Sequence, residues 1–147
     1  MQKPYFAMFQ EVKRSLVPAA GGVFRLPRKL PRHIAMELVL TGDPISAQRA
    51  YDLGFINELV EPGKAFEGAL ALAKRIEVNA PLAVRQGMAL VRDGVSATDE
   101  EAWQQSKDAM RFLVKTEDYY EGPKAFVEKR DPVWTGKMMP PRNKARL

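Results

Sequence analysis

The sequence predicts an α/β chain in which a short β-forming portion leads into a mainly helical remainder. Two observations carry this. Strand-like apolar patterning is confined to Tyr5–Val12 and Phe55–Val60, and nearly everything else repeats its apolar residues at helical spacing between recognisable caps and stops. A third observation qualifies the β portion: a lone strand cannot satisfy its own backbone hydrogen bonds, so Tyr5–Val12 needs neighbouring strands that this sequence does not contain. The chain is therefore expected to be a cut piece of a larger fold.

The elements follow in order. Pro31 suits a first helical position, and Ile34, Ala35, Leu38 and Val39 repeat at helical spacing until Thr41-Gly42 stops the run. Ser46 caps a short helix, Ala47 to Leu53, with Gly54 as its left-handed stop. Phe55 to Val60, ended by Pro62, reads as a strand-like connector. From Ala65 to about Val78, Phe66, Leu70, Ala73 and Ile76 share one face, and Asn79-Ala80-Pro81 breaks that helix and opens the next, which carries Val84, Met88 and Val91 to Gly94. Thr98-Asp99-Glu100-Glu101 is a capping box, opening a helix with Trp103, Met110 and Leu113 inward. Thr116 caps a last helix, with Glu117 and Asp118 at its positive end, running towards Arg130 before Asp131-Pro132. Met36, Met88, Met110 and Trp103 lie at helical spacing and are expected to fill a core.

Composition excludes several functions. At 147 residues, 46% hydrophobic and 28% charged, the chain has the profile of one globular domain and not of a disordered one. No cysteine is present, which removes disulfides and thiolate metal sites; a single histidine, His33, argues against a His-rich metal centre and is expected at the surface or at a partner contact. No apolar run is long enough for a membrane span and Met1 is not followed by a signal-peptide pattern, so the expected location is cytoplasmic. The net charge of +5 favours a phosphate-bearing or otherwise polyanionic ligand. Its cations gather in two groups, Lys13, Arg14, Arg25, Arg28, Lys29 and Arg32 near the start, and Lys124, Lys129, Arg130, Lys137, Arg142, Lys144 and Arg146 at the end. Interleaved aromatics on a basic face and a helix-turn-helix pattern are both missing, so nucleic acid is not expected as the partner.

The chemistry is carried by Glu11-Val12-Lys13-Arg14-Ser15-Leu16-Val17-Pro18-Ala19-Ala20-Gly21-Gly22 and the following Arg25-Leu26-Pro27-Arg28. This stretch resembles the enoyl-CoA hydratase (crotonase) superfamily, in which an acid precedes a Gly-Leu-x-Pro-x-x-Gly-Gly motif and an Arg-Leu-Pro. Two further blocks are similar: Ala35-Met36-Glu37-Leu38-Val39-Leu40-Thr41-Gly42-Asp43-Pro44-Ile45-Ser46-Ala47 with Ala50-Tyr51-Asp52-Leu53-Gly54-Phe55-Ile56-Asn57, and Glu121-Gly122 with Ala125-Phe126-Val127-Glu128-Lys129-Arg130. The resemblance implies the C-terminal half of a family member. Residues 1–42 would be the end of the ββα spiral core, 43–136 the helical region used for trimerisation, and 137–147 a basic tail. Before the acid, Phe6-Ala7-Met8-Phe9-Gln10 stands where the family has Phe-Gly-x-Pro, with one extra residue that would shift the strand register.

By resemblance the activity is hydration of enoyl-CoA thioesters. Glu11 matches the second family glutamate, which positions water and donates a proton; Gly21 and Gly22 match the loop that shapes the site; Phe126 and Lys129 match an aromatic ring and an ammonium that contact the nucleotide of coenzyme A. Three residues apart on a helix, the last two would share one face. The oxyanion-hole N–H groups and the first glutamate would come from the N-terminal half. The implied substrate is an acyl-CoA, with no metal and no cofactor beyond that thioester, and the implied assembly is a homo-trimer or hexamer of the complete protein. Two alternatives stay open: an isomerase or other acyl-CoA enzyme on the same scaffold, and a non-catalytic family fragment acting as an assembly module.

Overall fold

A computed structural model describes residues 5–7 and 9–140. Its elements are β1 (Tyr5–Ala7), a 3-10 helix (Gln10–Arg14), α1 (Gly22–Arg25), a second 3-10 helix (Leu26–Arg28), α2 (Arg32–Thr41), β2 (Ile45–Ser46), α3 (Ala47–Asp52), α4 (Ala65–Glu77), α5 (Pro81–Gly94), α6 (Asp99–Leu113) and α7 (Asp118–Glu128). The chain forms two compact units, residues 1–69 and 70–147.

In the first unit β1 pairs antiparallel with β2, Tyr5 opposite Ser46 and Ala7 opposite Ile45, with an irregular register between them. The expectation that the strand would find no neighbour in this sequence is thus corrected. Its partner is Ile45–Ser46, a pair too short to announce itself by alternation. Residues 10–14 also leave the expected strand, closing instead into the 3-10 helix, which ends where Ser15 turns left-handed (φ 59°) and Leu16 N–H donates to Glu11 O at 2.9 Å. Phe55–Val60, expected as a strand-like connector, forms bends followed by chain outside any helix or strand.

Local signals place the helices of this unit. Gly42 stops α2 at φ 63° and donates to Leu38 O, and Ser46 Oγ accepts from Arg49 N–H at 3.2 Å to start α3. The core is Leu26, Leu30, Ala35, Leu38, Ile45 and Ala50, with Phe9, Ile34, Val39, Leu53, Phe55 and Ile56 against it. β2 and α3 contribute Ile45 and Ala50 to this core, and the compact unit runs to Ala69.

In the second unit α5 and α6 form a helical pair, and the Thr98 capping box is complete: Thr98 Oγ1 accepts from Glu101 N–H while the Glu101 carboxylate accepts from Thr98 N–H at 2.8 Å. That bond from Thr98 is also what holds the Glu101 carboxyl below its ordinary range. The expected core fillers lie elsewhere. Met36, Met88, Met110 and Trp103 are all at least half exposed, Trp103 at 68%, whereas the buried residue of α6 is Ala109. A helical stripe identifies an apolar face without naming what covers it.

The segment after α7 is held along the unit. Glu117 N–H donates to Lys137 O at 3.0 Å, Met139 N–H donates to Lys115 O at 2.8 Å, and Thr116 bridges to Met138. Residues 137–140 are therefore part of the packed unit, where the sequence suggested that the tail begins. Arg142, Lys144 and Arg146 lie outside the described residues.

Candidate functional site

Glu11 occupies the first turn of the 3-10 helix, directly after Phe9, whose backbone (φ −116°, ψ 58°) turns the chain out of β1. Its side chain is half-buried, and Oε2 is fully shielded without any hydrogen-bond partner among the described residues. Buried polar atoms are nearly always satisfied, and leaving one bare costs roughly 1–3 kcal/mol. Such a cost is tolerated where the group serves something other than the fold.

The glycines are placed around the same turn. Gly22 N–H and Val23 N–H both reach back to Pro18 O, at 3.1 and 3.4 Å. A Cβ on Gly22 would stand 2.8 Å from Pro18 Cβ and 3.3 Å from the Phe9 ring, so the absence of a side chain lets the loop close onto the residue that launches the Glu11 turn. Gly21, at φ 109°, makes the left-handed entry to α1. The structure thus brings Gly21 and Gly22 to the base of the segment bearing Glu11, by way of Phe9. Lys13, on that segment, is tied to Asp43 beyond α2 at 2.8 Å. His33 lies in the first turn of α2 and is exposed.

Phe126 and Lys129 belong to the second unit. Phe126 is 85% exposed near the end of α7. Lys129 is not on a common helical face with it, because the helix stops at Glu128 and Lys129 itself adopts the left-handed conformation, φ 53° and ψ 42°. The two are neighbours through the cap, where Lys129 N–H donates to Phe126 O at 3.3 Å. The next residue, Arg130, reaches back to Glu121 with both Nη atoms, Nη2 to Oε2 at 3.0 Å, and Val133 N–H donates to Glu121 Oε1 at 2.8 Å. These two partners, Arg130 first, lower the Glu121 carboxyl from 4.5 to about 2.

That depression has a pH consequence. A carboxyl lower in the folded than in the unfolded state stabilises the fold above its ordinary value and loses that contribution as pH falls. The corner around Arg130 and Val133 should therefore hold above about pH 4.5 and loosen on acidification towards pH 2, where Glu121 protonates. Following the Val133 amide resonance on acidification should show a transition centred near pH 2, absent in Glu121→Gln; a titration near 4.5 would contradict the pairing.

The Enoyl-CoA hydratase/isomerase family model matches residues 1–137. The chain belongs to this family. Among curated proteins, the carnitinyl-CoA dehydratase of Salmonella typhimurium is 37% identical over 131 residues, covering 86% of this chain and 50% of that protein. Among solved structures, an enoyl-CoA hydratase of Mycobacterium tuberculosis superimposes with TM-score 0.83 at 42% identity, and one of Bacillus anthracis with TM-score 0.83 at 35%. The first covers 86% of this chain and 50% of the solved one, the second 87% and 50%. The chain spans about half the length of these relatives.

Family membership fits the fold described above, since the solved hydratases superimpose over most of the chain, 86% of it for the Mycobacterium tuberculosis protein. Among the described residues no helix is long and apolar enough to cross a membrane, and no group of three or more His, Cys, Asp or Glu is placed to hold a metal. Sequence reasoning overlooked Phe9 and Pro18 as the residues that join the Gly21-Gly22 turn to the Glu11 segment. The available signal was the aromatic residue two places before the acid, which a strand assignment would have pointed elsewhere.

Proposed function

We propose that the protein carrying this chain hydrates 2-trans-enoyl-CoA thioesters, with Glu11 positioning the water and exchanging the proton. The observation that carries this reading is the shielded Oε2 of Glu11, which has no hydrogen-bond partner among the described residues and stands on the turn that follows Phe9, itself close against Gly22. Hydration requires a water aimed at the β-carbon and a proton delivered to the α-carbon, work that two carboxyl groups divide. It also requires N–H donors for the charge that develops on the thioester oxygen. The reading assigns those donors and the second carboxyl to the part of the relatives' length that this chain does not span. Gly21 and Gly22 shape the loop, and the exposed Phe126 ring and Lys129 ammonium take the adenine and a phosphate of coenzyme A, in a homo-trimer or hexamer.

The relatives, a carnitinyl-CoA dehydratase and enoyl-CoA hydratases, support a reaction of this class. The test is to offer the intact protein a short 2-trans-enoyl-CoA and follow loss of the conjugated thioester absorbance together with appearance of the 3-hydroxyacyl product. Turnover supports the proposal. Migration of a 3-enoyl double bond without addition of water would replace it by an isomerase, and neither reaction over a range of acyl lengths would leave an assembly module.

A further inference from the structure

The basic residues of the first unit belong to the motif that carries the family resemblance but are given no role in the reaction proposed above, and they form an organised patch. No Asp or Glu stands between Glu11 and Glu37, while the same interval holds Lys13, Arg14, Arg25, Arg28, Lys29 and Arg32. The nearest acids in sequence are engaged or shielded: Asp43 pairs with Lys13 at 2.8 Å, Glu37 pairs with Arg49 at 3.2 Å, and Glu11 has its Oε2 buried. Among the described residues Arg25, Arg28, Lys29 and Arg32 have no carboxylate partner.

Two of these cations are held in place by an aromatic ring. Phe24 is 49% exposed, and its ring carries Arg25 Cζ at 5.3 Å and Arg28 Cζ at 5.7 Å from the centroid. The Arg25 guanidinium also lies close over Gly21, where a Cβ would stand 2.9 Å from Nη1. Two like charges are thus held on one ring and repel, with no acid to offset either. Stacking restricts the guanidinium planes in advance, so that less freedom is lost when each presents its fork of N–H donors to phosphate oxygens.

We propose that Phe24, Arg25 and Arg28, flanked by Lys29, form a binding site for a diphosphate group. A diphosphate supplies several negative oxygens in one small unit, which is what two adjacent forks can share and what a single carboxylate cannot. Phe24, Arg25, Arg28 and Lys29 are none of the residues assigned above to the thioester or its nucleotide, so failure of pyrophosphate binding and failure of hydratase turnover are distinguishable.

The experiment titrates the intact protein with inorganic pyrophosphate at about 0.15 M salt, where long-range attraction between exposed charges is largely screened. Binding is followed by NMR on the Arg Nε–H and Phe24 ring signals. Saturable shifts confined to this patch are expected, with affinity reduced about tenfold or more in Arg25→Gln/Arg28→Gln. Lys107→Gln, which removes an exposed cation of α6, should leave affinity unchanged. Equal losses in the two variants, shifts spread over all cations, or wild-type affinity in the double variant would overturn the site. Should the double variant fold poorly, Arg28→Lys keeps the charge and loses the fork; unchanged affinity there also overturns it. ADP and coenzyme A both carry the group, so the affinity of each is expected to fall along with that of pyrophosphate in the double variant. If neither falls, the proposal fails.

Discussion

Glu11→Gln should lower kcat for enoyl-CoA hydration by about 10²–10⁴, the usual contribution of a positioned acid or base, with little change in KM. Gln preserves the shape of the side chain and removes only its ability to exchange a proton. The fold has little invested in the carboxylate: Oε2 makes no hydrogen bond among the described residues, and the 3-10 turn is closed by the Glu11 carbonyl, which the substitution retains. Thermal stability should therefore stay within about 1 kcal/mol of the parent, as for most substitutions that break no named interaction. This separates the catalytic reading from a structural one. A variant with full turnover would end Glu11's proposed role, and a variant that lost activity only by unfolding would show that the buried oxygen serves the fold after all.

The helix boundaries were legible because the signals that set them are local. Gly42 stops α2 with a left-handed residue, Ser46 caps α3, and Thr98 with Glu101 closes the box that begins α6; each needs only residues within a turn of itself. The β portion was less legible because its evidence is non-local. Tyr5–Ala7 finds its partner at Ile45–Ser46, far along the chain, and residues 10–14 form a 3-10 turn beside the Phe9–Gly22 approach instead of continuing an extended run. Apolar stripes told the same partial story: Trp103 and Met88 mark helix faces correctly, but 68% and 62% of their surface is open.

The candidate site divides along the same line. Motif order nominates its residues, but their states could not be read there. Nothing in the string Glu11-Val12-Lys13 says that one carboxylate oxygen is shielded, since that depends on packing around the turn. Spacing put Phe126 and Lys129 on one helical face; the αL conformation of Lys129 ends the helix one residue before it. A non-glycine residue in that conformation is uncommon, and sequence offers Lys no mark for it.

Asp118→Ala should release the segment that follows α7. Asp118 is 5% exposed, and its carboxylate gathers three donors from one short stretch: Thr135 N–H at 2.7 Å and Thr135 Oγ1 at 3.2 Å on Oδ1, and Gly136 N–H at 3.0 Å on Oδ2. It also sits in the first turn of α7, where negative charge is favourable. Hydrogen bonds to a charged group contribute about 1.5–3 kcal/mol each, but these share one anchor and are not additive, so truncation should destabilise the segment by about 3 kcal/mol. Two backbone N–H groups would be left without their acceptor. Amide exchange at Thr135 and Gly136 should then accelerate by about two orders of magnitude, while Glu101 in the capping box of α6 keeps its protection. Asp118→Asn, which keeps one acceptor oxygen, should fall between. Unchanged exchange at Gly136 in the alanine variant would mean that Thr116, Glu117 and Lys137 hold the segment without the carboxylate, through the backbone bonds they share with it.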